Sequence, residues 1–522
     1  MEPPPISIAR KPATSVLDVM EKLKDAIWSK RPILGEIMQK HGAKLLSRYS
    51  EDFMDVNPAP GLDERKPELI AMVEELVTGR LGSIVGREVA RQLTKLPLVS
   101  TADHHSINQH PFFLNAEIIS GIPLYEHPDP EISYMISFSF SSVSVNNQSG
   151  FPRGILFNGG INGSSNLIKL PILADKHKMS MVYGCKPYTR EDLTKAENEI
   201  LKKQRAGILA PGKAEQVLSL MEELLGNDLV LSASNFCSQL TRINYSYWPR
   251  LFHGPNGQKA VRKAPDLIYL DIETLTTQTL LRHHLHNTSS LLHRILFDAS
   301  LRILLLKHFE GIPGAFSTAG DWGTFLFWGF DDKAHRVRLF PEGDRLVSKD
   351  GLISIELTPE SIEQSLRSKK ILPSMLSCYL MVSLYYGMKC LGGFCQVHDL
   401  TLSKEAWIKF LIEIGEQSEA NAVAPVQTKE LGGDGLVLAY IKTATGSTVP
   451  ATGFDMLLDE GDTGFDHYVA LSKRVTLDEM MAPMLPEMYT VLHPELQRDP
   501  ALLSVTPEQI FEATGLRSKL TA

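Results

Sequence analysis

The sequence has few cysteines and no long apolar segment. Its five cysteines among 522 residues include no CxxC pair, since Cys390 and Cys395 are five positions apart. An odd and sparse set of this kind argues against a disulfide framework and fits reduced thiols. No apolar run approaches the roughly 20 residues of a membrane-spanning helix. The first residues also lack the apolar stretch of a secretory signal. The sequence therefore predicts a soluble, cytoplasmic protein with no membrane partner.

Basic residues are not concentrated anywhere in the chain. The 53 lysines and arginines are outnumbered by 61 acidic residues, which gives a formal net charge of −8. Electrostatic binding of nucleic acid requires a basic stripe, and none is visible. The GxGxxG, GxxxxGK[ST] and GxSxG motifs are also missing. The sequence therefore predicts no nucleic-acid partner and gives no support to a nucleotide-binding fold.

The length and the hydrophobic pattern indicate several structural regions. A chain of 522 residues is longer than a single core usually supports. Helical periodicity dominates residues 15–95, whereas apolar and small polar residues alternate over 135–145, as in a half-buried strand. The sequence thus predicts an α+β fold, with a mixed β-sheet core flanked by N-terminal and C-terminal helical regions. The predicted divisions are a disordered arm (1–14), a helical layer (15–95), a central α+β domain with the candidate site (96–345), and a mainly helical region (346–522) with a loop-rich insertion (419–464).

Two longer helices are predicted in the second half of the chain. The first spans residues 276–309, with a possible break at Asn287-Thr288-Ser289. The second spans residues 373–391, whose apolar positions cover much of the helix circumference and therefore predict burial on several sides.

A short irregular segment carries the first candidate site. Asp103, His104, His105 and His110 fall within eight residues. Imidazole and carboxylate ligands together suit zinc, iron or manganese. We expect Asp103, His104 and His110 to be metal ligands and His105 to be catalytic. The alternative is that Asp103 caps a helix and that His104 is a hydrogen-bonded surface residue.

The second candidate group lies further along the chain. His283 and His286 would share one face of a continuous helix and are predicted as additional metal ligands. Asp271 and Glu273 follow a short apolar strand, a usual position for a general base, and are predicted to be catalytic. The alternatives are a solvated helix face for the histidines and, for Glu273, a stabilising position at a helix start.

Three residues are candidates for substrate binding. Arg153 and Arg250 lie in segments that combine arginine, aromatic rings and proline, and arginine can bind an anionic group bidentately. Trp322 follows a small-residue turn and could form the wall of a binding site. Structural cation–π contacts and a tight hairpin explain these segments equally well.

These observations favour a metal-dependent enzyme that acts on a small polar, anionic metabolite. One alternative is a metal-free transferase or ligase that uses histidine acid–base chemistry, and another is a non-catalytic binding or scaffold protein. The sequence does not indicate an oligomeric state.

Overall fold

The computed structural model describes residues 15–159, 167–252, 263–443, 446–458 and 464–520. The arm predicted over residues 1–14 lies outside the described residues, as does part of the insertion predicted over 419–464. The fold is α+β, with several sheets between helical ends, which confirms the predicted fold class. Within the described ranges, no helix has the length and apolarity needed to cross a bilayer.

A four-stranded parallel sheet lies at the centre of the fold. Its strands are β1 (Leu98–Ser100), β2 (Tyr134–Ser139), β3 (Asp266–Asp271) and β4 (Lys389–Leu391). They are arranged in the order β4-β1-β2-β3, and every neighbouring pair is parallel. In chain order, β2 therefore lies beside β1 and β3 beside β2, whereas β4 lies on the opposite side of β1. In open parallel sheets, such a switch in direction is where ligands bind, beyond the carboxyl ends of the strands.

Both faces of this sheet are buried, as parallel sheets require. Successive side chains of β3 point to opposite faces, so that Leu267 and Tyr269 join one hydrophobic core while Ile268 and Leu270 join the other. The strand is consequently a continuous apolar run, from Leu267 to Leu270, and does not alternate with polar residues.

The remaining strands form antiparallel sheets of five or two strands. A five-stranded sheet has the order Ser354–Glu356, Arg345–Ser348, Arg336–Glu342, Phe327–Phe330, Ile371–Pro373. The two-stranded sheets are Gly154–Asn158 with Leu167–Pro171, Phe316–Ser317 with Trp322–Gly323, and Tyr440–Lys442 with Thr448–Pro450.

Helices surround these sheets. Those before β1 are Val16–Lys30, Pro32–His41, Leu46–Glu51, Pro60–Asp63, Lys66–Leu81 and Ser83–Lys95. Those between β1 and β3 are Pro111–Glu126, Arg190–Arg205, Pro211–Leu225, Asp228–Leu231 and Phe236–Arg250. Those after β3 are Ile272–Thr279, Leu291–Phe297, Ala299–Phe309, Pro359–Arg367, Met375–Tyr379, Gln396–Glu413, Gln417–Val423, Gly453–Leu458, Phe465–Ser472, Leu477–Met481, Leu485–Leu492, Pro507–Thr514 and Leu516–Leu520.

Two predicted helices differ from the structure. The helix expected over 276–309 is divided at the suggested break, and its first part continues into a π-helix, Leu280–His284. The buried helix expected over 373–391 is short, because it passes into a second π-helix, Leu380–Tyr385, and then into β4. The segment is buried, as predicted, but its last three residues pair with β1 as a strand. In a sequence, a short apolar run is consistent with either a buried helix or a buried strand.

Candidate functional site

The polar residues of the candidate site lie near the carboxyl ends of the parallel strands. The segment after β1 stays beside β2, because the backbone amide of Phe140 donates to the Asp103 carbonyl at 2.8 Å. The amide of His105 in turn donates to the Phe140 carbonyl at 2.8 Å. These two hydrogen bonds fix the backbone on either side of His104, so that the irregular segment is held firmly against the sheet.

Three potential metal ligands meet at this edge. An imidazole nitrogen of His105, the thiol sulfur of Cys237 and a carboxylate oxygen of Asp271 all lie within 4.8 Å of one another. His105 follows β1, Asp271 ends β3, and Cys237 lies in the first turn of the Phe236–Arg250 helix. All three side chains are buried. We refer to His105, Cys237 and Asp271 as the His-Cys-Asp group.

Asp271, the acidic member of this group, has two polar partners. Asp271 pairs with Arg80 at 2.6 Å and accepts a hydrogen bond from Thr274. Arg80 also donates to Thr241 Oγ1 at 2.9 Å. Burial raises the pKa of Asp271, but Arg80 and the hydrogen bond from Thr274 more than offset this, so the net pKa lies below its ordinary value. The carboxyl group is therefore ionised and paired.

His105 and Cys237 are uncharged in this environment. Burial lowers the pKa of His105 to about 4, although the nearby Asp271 acts in the opposite direction. Its Nδ1 lies 2.7 Å from the Ser139 hydroxyl, and its Nε2 lies 3.2 Å from the Cys237 carbonyl oxygen. Burial also raises the pKa of the Cys237 thiol well above its ordinary value. Neutral imidazole is the form that binds a metal, whereas the thiol would have to lose its proton.

A second polar group, composed of carboxyl groups, lies near Ser100 of β1 and Ser137 of β2. Asp103 and Glu117 are 0% exposed, and their carboxyl groups are hydrogen-bonded to each other. Asp434 contributes a further repulsive effect on Asp103. We refer to Asp103, Glu117 and Asp434 as the carboxyl group cluster.

This cluster lacks charge-neutralising partners. Glu117 also forms hydrogen bonds with Ser100 and Ser137, but no ion pair with a basic side chain is found for Asp103, Glu117 or Asp434 among the described residues. Burial raises the pKa of Glu117 to about 7 and that of Asp434 to about 7, and it raises the pKa of Asp103 well above its ordinary value. Strongly shifted carboxyl groups in one place are a probabilistic sign of a functional site.

Tyr269 of β3 contacts both groups. Its ring stacks on His105 with a centroid separation of 5.4 Å and an interplanar angle of 15°. Its hydroxyl donates to the His104 carbonyl at 3.0 Å and lies close to the Asp103 carboxyl. The His-Cys-Asp group and the carboxyl group cluster are therefore neighbours across a single side chain.

Glu273 organises the loop after β2. Its carboxylate accepts hydrogen bonds from the Ser141 amide at 2.7 Å, the Ser141 hydroxyl at 2.7 Å and the Ser142 amide at 2.9 Å. Burial raises its pKa even so. With these donors, Glu273 fixes the loop beside Asp271, and its predicted catalytic role stays a prediction.

The His-Cys-Asp group contains His105 and Asp271, which were predicted to be catalytic, and none of the four histidines predicted as metal ligands. The nearest acidic partner of His283 is Glu68 at 4.0 Å, and His286 pairs with Glu363 at 2.6 Å. His104 Nδ1 lies 2.9 Å from the Asn147 amide oxygen. His110 caps the Pro111–Glu126 helix, with Nδ1 3.4 Å from the Phe112 amide nitrogen.

The residues predicted to bind substrate have partners of their own. Arg153 donates to the Leu173 carbonyl at 2.7 Å and pairs with Asp175. Arg250 pairs with Glu223 at 2.5 Å. Trp322 is 39% exposed in the Phe316–Ser317 and Trp322–Gly323 hairpin. The predicted roles of Arg153, Arg250 and Trp322 in substrate binding stay predictions.

Several residues of the site were missed from the sequence. Cys237 and Arg80 carry no local signal, since they reach Asp271 only through tertiary packing. Glu117 does carry one, because it is the only charged residue in the interior of the mainly apolar Pro111–Glu126 helix. Asp434 is flanked by Gly432, Gly433 and Gly435, a pattern that favours close backbone packing.

Comparison of the chain with protein-family models finds no match, and a search of curated protein sequences finds no significant relative.

Proposed function

We propose that the protein is a metal-dependent enzyme acting on a small polar metabolite, with zinc bound by the His-Cys-Asp group. The observation that carries the proposal is the convergence of an imidazole nitrogen, a thiol sulfur and a carboxylate oxygen within 4.8 Å of one another. This mixture of nitrogen, sulfur and oxygen ligands suits zinc best among common divalent metals.

The groups around the ligands support the same proposal. A metal-bound histidine usually donates its other ring N–H to an oxygen, and the Ser139 hydroxyl lies 2.7 Å from His105 Nδ1. The Nε2 contact with the Cys237 carbonyl is long, at 3.2 Å, and could be exchanged for a metal. Arg80 would hold the Asp271 carboxylate in a fixed orientation.

The chemistry of such a centre follows from its ligand number. Three protein ligands leave a fourth position, where zinc can polarise a substrate carbonyl or lower the pKa of a bound water. Because the three side chains are buried, the proposal requires the segments that cover them to move before a substrate can reach the metal.

Metal analysis of the full chain tests the binding half of the proposal. We expect about one zinc per chain after purification without chelator, and loss of that zinc in Cys237→Ala. Cobalt substitution should produce a thiolate-to-cobalt charge-transfer band that is missing in the variant. Cys390→Ala is the matched control, because Cys390 is also buried but lies outside the group. A wild-type chain that binds neither zinc nor cobalt would contradict the proposal.

A metabolite assay tests the enzymatic half. The full chain would be incubated with a mixture of small phosphorylated and carboxylated metabolites, whose depletion is followed by mass spectrometry. We expect depletion that a chelator and Cys237→Ala both abolish. Depletion insensitive to both would favour metal-free acid–base catalysis, and no depletion would favour a binding protein.

A further inference from the structure

We propose that the substrate reaches the His-Cys-Asp group beside Lys369, and that the anionic group of the substrate opens this entrance by binding the lysine. The inference rests on the proposed function, because it assigns the access route and the charge of the substrate for that same site. Carboxylate and phosphate are the anionic groups concerned, since a lysine ammonium pairs with either.

A short turn covers the thiol of the His-Cys-Asp group. In this 3₁₀ turn, Val182–Gly184, the Val182 carbonyl oxygen lies 3.9 Å from Cys237 Sγ. Burial raises the pKa of the Tyr183 hydroxyl, and the nearby Asp271 and Cys237 act in the same direction. Both Val182 and Tyr183 are buried. Displacement of this turn would therefore uncover the thiol.

Lys369 contacts this turn from the solvent side. Its side chain is exposed, and its Nζ donates to the Tyr183 carbonyl at 3.4 Å. The same ammonium lies 5.0 Å from the centroid of the Tyr183 ring. A cation–π contact of an exposed lysine is weak, as is a hydrogen bond of this length. An anion that binds Lys369 can therefore replace both contacts.

The backbone at Lys369 also points to a role for its side chain. Lys369 follows the helix Pro359–Arg367 and has a left-handed conformation, with a φ of 54°. Its amide donates to the Leu366 carbonyl, and the Lys370 amide donates to the Ser365 carbonyl. This is the hydrogen-bond pattern of a helix end at which glycine is usual. Lysine is strained in that conformation, and strained residues cluster at functional sites.

A second cation lies beside the same turn. Arg336 Cζ lies 4.1 Å from the centroid of the Trp328 ring, and the guanidinium donates to the Ser142 carbonyl at 3.0 Å. Arg336 pairs in the antiparallel sheet with Phe330, the ring on which the tyrosine of the turn stacks. Within the described ranges, neither Lys369 nor Arg336 forms an ion pair with an acidic side chain. Two cations without such partners favour an anionic substrate.

Alkylation of Cys237 by iodoacetamide in the zinc-free full chain, followed by mass spectrometry, measures opening of the turn. We expect Cys237 to react about threefold to tenfold faster in Lys369→Gly than in the wild type. Glycine suits the left-handed conformation, so the change removes the ammonium without straining the fold. Lys370→Met is the matched control, because Lys370 is the adjacent exposed lysine.

The charge of Lys369 cannot itself cause this acceleration. Burial raises the pKa of the Cys237 thiol, and Lys369 opposes that effect. Because the thiolate is the reactive form, loss of the ammonium alone would slow alkylation. Equal alkylation rates in the wild type and in Lys369→Gly would overturn the entrance.

Inorganic pyrophosphate tests recognition of the anion. It should accelerate Cys237 alkylation in the wild type more than sodium chloride of the same ionic strength does. The difference between the two salts should disappear in Lys369→Gly. A pyrophosphate effect no larger than that of chloride, or one that persists in the variant, would overturn binding of the anion by Lys369.

These outcomes are distinguishable from those of the proposed function, because neither alkylation experiment involves zinc or turnover. A wild-type chain that binds no zinc contradicts the proposed function and leaves the alkylation rates unaffected. Lys369→Gly should retain the zinc content of the wild type, since Lys369 lies outside the His-Cys-Asp group. Loss of zinc from this variant would show that the lysine maintains the structure of the site and would overturn its role at the entrance.

Discussion

Replacing Arg80 by methionine should destabilise the protein by about 3–5 kcal/mol at neutral pH, the usual cost of leaving a buried charge without its partner. Asp271 is 0% exposed and lies 2.6 Å from the Arg80 guanidinium, so the variant would retain an uncompensated carboxylate in the core. Urea unfolding followed by circular dichroism measures the change. Adding Asp271→Asn to the variant should recover part of the loss, because the remaining group is then neutral.

A matched exposed pair provides the control for this prediction. Arg282 and Glu75 are also 2.6 Å apart, but both side chains are about half exposed. Arg282→Met should therefore cost less than about 1 kcal/mol. The Arg80→Met loss should also shrink as the pH falls, because the unpaired Asp271 carboxylate of the folded variant can then take up a proton and become neutral in the core. If Arg80→Met and Arg282→Met reduce the free energy of unfolding equally, burial does not determine how much these ion pairs contribute to stability.

Glu117→Gln should remove a pH-dependent loss of stability of about 3 kcal/mol from the metal-free protein. The magnitude follows from the difference between the Glu117 pKa of about 7 and its ordinary value of 4.5. Because the folded-state pKa is raised, the unfolded chain releases its proton at a lower pH than the folded chain does. The free energy of unfolding therefore falls as the pH rises from about 4.5 to about 7, and the loss is complete above that.

Unfolding in urea with a chelator present, at pH 5 and pH 8, measures this effect. Wild-type protein should lose more stability than Glu117→Gln between the two pH values. A smaller loss should persist in the variant, since burial also raises the pKa values of Asp103 and Asp434. If the variant and the wild type lose the same amount, Glu117 does not titrate in this range.

The sequence predicts the elements of the fold better than its connections. The helical periodicity of residues 15–95 and the apolar run of β3 have local causes, and both elements form. The pairing of residues 389–391 with β1 has no such cause, because the partner strand is almost 300 residues away. Long-range pairing of this kind depends on which apolar surfaces meet in the folded chain.

The residues of the candidate site also divide into those with a local sequence signal and those that only long-range packing brings together. Asp103, His105 and Asp271 stand out because polar residues follow short strands or occupy irregular segments. Cys237 and Arg80 lie on helices whose local patterns are ordinary, and only the packing of those helices on the sheet brings them to Asp271. The histidines His283 and His286 share a local pattern with metal ligands, yet their acidic neighbours are Glu68 and Glu363.

The position of β4 also has a consequence for how the protein folds. β1 lies between β4 and β2, so until residues 389–391 dock, one side of β1 presents unpaired backbone groups. An unpaired strand edge can join the edge of another chain. Contacts between residues that are far apart in the sequence form slowly. The pairing of β1 with β4 joins residues almost 300 positions apart, so we expect it to form slowly. A chain that ends before residue 389 should therefore aggregate even though it contains the other three strands.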